Sequence, residues 1–154
     1  MELSSILRPQ AVKVLSAVSS KKRLFQHIGD LAEVVYGISS AIAVDALLER
    51  EALGPTGVGH GVALPHARVH GLDDVIGTFV LLEKPIEFDS VDRQPVDIAF
   101  GLFAPEDAGV DHLKALALVS RTLRDSERCA KLRANSSPTT LYALLTEGRP
   151  EKAA

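Results

Sequence analysis

Two stretches of the chain, VIGTFVLL at 75–82 and VDIAFGLF at 96–103, are almost continuously apolar. A strand with one wet face alternates polar and apolar residues, so an unbroken apolar run of strand length belongs in a sheet covered on both sides. Covering both faces takes helices above and below. The expected fold is therefore a single three-layer α/β/α domain, a central mixed β-sheet flanked by helices. It should span residues 1–148, with 149–154 as a flexible tail.

The rest of the chain supplies the helices. AVKVL at 11–15 has the β-branched alternation of a short strand, and Ser19 or Ser20 can cap the helix that follows. Leu24, Phe25, Ile28, Leu31, Ala32 and Val35 then fall on one helical face, and Gly37 supplies the stop. A second helix is expected from Ser40 to Leu53, with Ile42, Ala46, Leu47 and Leu53 inward and Gly54 as its C-terminal cap. After a GVALP strand and the two apolar runs, Asp111 is placed to cap a helix opening at His112, with Leu113, Leu116, Val119, Ser120 and Leu123 inward. One helix should follow Ser126, and a last one should enter through Ser137 and Pro138 and leave at Gly148.

Charge and composition exclude several functions. A formal net charge of -3 leaves no basic footprint for nucleic acid or an anionic membrane. No apolar stretch approaches the roughly 20 residues of a spanning helix, and MELSSILRPQ lacks the regions of a signal peptide, so cytoplasmic residence without membrane insertion is expected. The one cysteine, Cys129, sits in the charge-rich SERCAKLRAN and reads as a packed or half-exposed thiol.

GPTGVGHGVALPHAR at 54–68 is the stretch built for chemistry. As a P-loop it fails, because His60 and Gly61 stand where the lysine and hydroxyl should follow Gly59; as a dinucleotide fingerprint it fails at Val62. No cofactor is implied. A zinc site wants three or four ligands, and His60 and His66 lie far apart if a strand at about 3.3 Å per residue separates them, so no metal is expected from His60, His66 and His70. His27, mid-helix beside core positions, reads as structural. His66 differs, because Pro65 stiffens the chain before it and extends Leu64, making a corner that presents the ring, and a neutral imidazole is a nucleophile near pH 7.

REALGPTGVGHGVALPHAR, followed by LLEKPIEFDSVDRQPVDIAFGLFAPED and HLKALALVSRTL, resembles the fructose and mannitol type of enzyme IIA domain of the bacterial phosphotransferase system, above all its nitrogen-regulatory branch. The resemblance runs from the first helix to the last. It implies that His66 accepts a phosphoryl group from an HPr-like phosphocarrier protein, with Arg50 and His112 lining the same site. Thr56, Gly57, Gly59 and Gly61 then form a loop facing phosphate or partner. It also implies regulatory target proteins, such as sensor kinases or potassium transporters, that read the phosphorylation state.

The implied roles fit the chemistry. Phosphoryl transfer spreads charge over three oxygens, which suits a guanidinium fork at Arg50 and a helix N-terminus at His112. Pro55, where a serine is common, and His60, where asparagine is usual, depart from the family pattern. Two alternatives stand beside a regulatory phosphocarrier: a sugar-transport IIA subunit that passes phosphate to a IIB cysteine, and a non-enzymatic binding module.

Overall fold

The computed structural model describes residues 1–147, so the expected stop at Gly148 and the tail at 149–154 lie outside the described residues. After a short 3-10 turn at Leu3–Ser5, the order is β1 (Leu7–Leu15), α1 (Lys21–Tyr36), α2 (Ser40–Glu51), β2 (Gly57–Gly59), β3 (Val62–Ala63), β4 (His66–Val69), β5 (Ile76–Ile86), β6 (Val96–Pro105), α3 (Val110–Leu123), α4 (Ser126–Arg133) and α5 (Pro138–Thr146). The strands form one mixed sheet in the order β1-β5-β6-β3-β2, with β4 also paired to β6.

The two apolar runs are its centre. β5 and β6 pair antiparallel, with Phe79 opposite Phe100, Val80 opposite Ala99 and Leu81 opposite Ile98. Successive residues leave a strand on opposite faces, so the pair feeds two cores. Phe79, Leu81, Ile98, Phe100 and Leu102 pack with Val119, Leu123, Leu132 and Leu141 of α3, α4 and α5. Val80, Leu82, Ala99 and Phe103 pack with Phe25, Ile28, Val44 and Leu47 of α1 and α2. These are the expected three layers.

Most caps fall where the sequence puts them. The Ser20 hydroxyl accepts from Arg23 N, α1 ends at Gly37, and the Ser137 hydroxyl accepts from Thr140 N with Pro138 opening α5. Other expectations need correction. β1 begins at Leu7 rather than residue 11: it is the outermost strand, and its register with β5 shifts between Leu7 and Val12, where Pro9 is tolerated. The buried face of α2 is Ala43, Val44 and Leu47, while Ile42 and Leu53 are exposed, because α2 lies against α1 and the sheet along a narrower stripe than its apolar residues suggest. The helix stops at Glu51 with Ala52 as cap, short of Gly54.

α3 opens at Val110 behind Gly109, and the Asp111 side chain makes no cap bond. The inward face of α3 is His112, Ala115, Val119 and Leu123, and Leu113 is exposed.

Candidate functional site

The segment from Arg50 to Arg68 runs off the end of α2, through a β2–β3 hairpin, and along the edge of β6. The GVALP strand is only Val62–Ala63, but the chain does not turn at Leu64–Pro65 as the proline suggests. Val62 pairs with Ile98, Ala63 with Ala99 and His66 with Leu102, the same offset on both sides, and the Pro65 carbonyl accepts from Leu102 N. The expected corner is thus a straight edge. Proline fits because the amide it lacks is on an outer strand.

Ala67 and Val69 enter the core under α1 and α2, so His66 and Arg68 leave β4 on the α3 side. The His66 ring is half-buried, and its Nδ1 lies 2.8 Å from the Leu64 carbonyl oxygen. A carbonyl only accepts, so Nδ1 carries the proton and the neutral ring keeps its lone pair on Nε2. Burial, aided by the Arg50 charge, holds the pKa below the usual histidine value, against the opposing pull of the Leu64 bond and the Glu51 carboxylate. The ring is therefore neutral near pH 7.

His112, in the first turn of α3, meets His66 edge to face, with ring centroids 5.7 Å apart at 70°. It is 5% exposed, and its Nε2 is buried without a hydrogen-bond partner among the described residues. Burial first, then the charges of His66 and Arg68, push its pKa down to about 4. Arg50 approaches from the other layer, at the last turn of α2, its Nη1 donating to the Gly54 carbonyl at 3.0 Å. His112 thus packs on His66, and Arg50, from the other helical layer, is near enough for its charge to act on the His66 ring. Arg68, which carries no motif signal in the sequence, adds a cation there and donates to the Glu106 carbonyl at 2.9 Å.

Glu51 is a second residue that the sequence reading does not single out. Its carboxylate accepts from Thr56 Oγ1 at 2.5 Å and Thr56 N at 3.1 Å, and pairs with Lys21 Nζ at 3.0 Å. Lys21 opens α1 and Glu51 closes α2, so each charge opposes its own helix dipole. An acid and a lysine misplaced at helix ends are the sequence signal for such a pair. The contact draws the Thr56 side chain inward, where it is buried, and fixes the start of the glycine loop beside His66.

The glycines serve packing in this arrangement. A Cβ on Gly57 would stand 2.3 Å from Ser90 Oγ, and one on Gly61, at φ +78°, would stand 2.6 Å from Arg133 Nη2. Gly59 sits at the hairpin beside Asp92. Among the other histidines, His27 is half-buried on α1, His70 is exposed and 2.7 Å from Glu106, and His60 is exposed at the hairpin turn. Cys129 is buried, with its pKa raised chiefly by burial, and its Sγ lies 3.2 Å from the Leu123 carbonyl. No cluster of three metal-ligating side chains occurs among the described residues. Nor is any described helix long and apolar enough to cross a membrane.

Comparison with known proteins is consistent along the chain. The family model described as "Phosphoenolpyruvate-dependent sugar phosphotransferase system, EIIA 2" matches residues 5–148. A nitrogen regulatory protein of Bradyrhizobium diazoefficiens is 42% identical over 94% of this chain and 95% of its own length. One from Escherichia coli is 39% identical over 99% and 96%. The crystal structure of nitrogen regulatory protein IIA-Ntr from Neisseria meningitidis superposes with a TM-score of 0.85 at 37% identity, over 93% of this chain and 98% of that one.

Proposed function

The chain belongs to the sugar phosphotransferase system EIIA 2 family, and from that membership we propose that it is a nitrogen-regulatory phosphocarrier that takes a phosphoryl group on His66. The donor is an HPr-like carrier protein. The observation that carries the reading is the Nδ1–H bond to the Leu64 carbonyl, which aims an unprotonated Nε2 away from the strand.

In the reaction the Nε2 lone pair attacks phosphorus, and the donor's P–N bond breaks with its electron pair returning to the donor ring. Positive charge that develops on the His66 ring is shared through Nδ1–H with the Leu64 carbonyl. Arg50 offers a fork of donors to the equatorial oxygens. His112 Nε2, buried and unpartnered, gains an acceptor when a phosphoryl oxygen arrives. Both helical layers therefore lend a group to the same anion. Regulatory targets then read the phosphorylated and free forms.

Incubation with phosphoenolpyruvate, enzyme I and the HPr-like carrier should add one acid-labile, alkali-stable phosphoryl group, seen by intact-protein mass spectrometry. His66→Ala should abolish it with the fold intact, and Arg50→Ala should slow it by about ten- to a hundredfold. Full phosphorylation of the His66→Ala protein would move the assignment to His60. Rapid onward transfer to a IIB cysteine would favour the sugar-transport reading over the regulatory one.

A further inference from the structure

His60 is the departure from the family pattern that phosphoryl transfer leaves unused. It adopts φ +57°, uncommon for a residue with a side chain, and its backbone is pinned on both sides. Its N–H donates to Asp92 Oδ2 at 2.9 Å and its carbonyl accepts from Arg133 Nη2 at 2.8 Å. Positive φ at His60 and Gly61 is what the two-residue hairpin turn between Gly59 and Val62 requires, and the two bonds fix the place from which the His60 side chain leaves it.

What His60 borders is a cleft of about 530 Å³ between the β2–β3 hairpin and α3 with α4. That volume lies within the range of small-molecule sites. Its floor is apolar and buried, formed by Val62, Leu64, Leu123 and Cys129. Its rim is basic. Arg133 is spent, held by Asp97 through Nε and Nη2 at 3.0 to 3.1 Å. Arg124 is exposed and, among the described residues, its side chain makes one hydrogen bond, to Ser120 Oγ at 3.1 Å. An apolar floor beside an under-used guanidinium and an imidazole that keeps an N–H donor in either charge state matches one ligand chemistry.

We propose that this cleft binds a small organic anion, its apolar body on Leu64 and Leu123 and its carboxylate, sulfonate or phosphate between Arg124 and His60. The site is separate from the His66 ring, but they share Leu64, whose side chain lines the cleft while its carbonyl holds His66 Nδ1. An occupant therefore presses on the residue that orients His66.

Anilinonaphthalene sulfonate, an aromatic body with one anionic group, is the probe. Its fluorescence should rise saturably with the unphosphorylated wild-type protein, at one site and with micromolar affinity. Arg124→Ala should weaken binding about tenfold through loss of a charge-assisted hydrogen bond. Ser120→Phe, which fills the cleft from α3, should remove it, with circular dichroism showing that each variant is folded. The uncharged analogue phenylnaphthylamine should bind at least tenfold more weakly, and His66→Ala should bind like wild type even if His66 proves not to be the phosphoryl acceptor. Absence of saturable binding overturns the proposal, as does equal binding by the Arg124→Ala and Ser120→Phe proteins or by the uncharged analogue. Loss of the probe in His66→Ala places it at the histidine instead and overturns the proposal too.

Discussion

At the scale of single residues, the site is two neutral rings kept neutral by their surroundings. His112 has a pKa of about 4 in the folded protein against 6.5 for the free side chain. Its folded value is depressed, so the stability it lends is complete above about pH 6.5 and is lost as pH falls towards 4. His66, also depressed, adds in the same direction. The unfolding free energy from urea titrations should therefore drop between pH 7 and pH 5, by up to about 1.4 kcal/mol per pH unit from His112. His112→Gln should flatten that dependence, and an unchanged slope would show that the ring is not held neutral by burial. Glu51 works the other way, since its carboxylate raises the His66 pKa. Glu51→Gln should thus lower the His66 titration midpoint read by NMR, a change that a purely structural contact would not produce. Glu51→Ala should also cost about 2 kcal/mol, because Thr56 N–H, Thr56 hydroxyl and Lys21 lose their acceptor together.

At the scale of elements, the glycine loop is held by close approach as much as by conformation. Gly57 lies so near Ser90 that an added Cβ would sit 2.9 Å from Ser90 Cβ and 3.0 Å from its Cα. Gly57→Ala should destabilise the protein by about 1–3 kcal/mol. Ser90→Gly in the same chain should recover part of that loss, since the new methyl would still crowd the backbone at residue 90, and thermal melts of the two singles and the double give the coupling. Full additivity would mean that the two residues do not touch.

The elements also show what could be read from sequence. Apolar runs, serine caps and the Pro138 start are local signals, and they placed β5, β6, α1 and α5 well. The inward face of α2 and the opening turn of α3 depend on what packs against them, so Ile42, Leu53 and Leu113 were misplaced. Motif singles out His66, Arg50 and His112 as candidate site residues, whereas Glu51 and Arg68 carry no such signal because their partners are distant in sequence, Lys21 for one and the Glu106 carbonyl for the other. Pro65 looked like a corner only because the pairing of the chain on both sides of it with β6 is invisible in one dimension.

At the scale of the whole molecule, two cores share one sheet, and alternate residues of β5 and β6 belong to each. Neither helical layer can leave without exposing one face of both central strands, so the layers should unfold together. The site inherits that cooperativity: Arg50 comes with the α1–α2 layer, His112 with the α3–α5 layer, and His66 with the strand between them. Cys129, buried in the α3–α5 core, is a reporter for one layer. Its reactivity towards a thiol reagent should appear at the same urea concentration at which the folded His66 and His112 ring signals vanish in NMR and helical circular dichroism is lost. If the His66 signal disappears while the His112 signal remains and Cys129 is still protected, the edge strand β4 opens on its own. His66 would then be presented by a locally unstable segment rather than by the rigid junction of three layers.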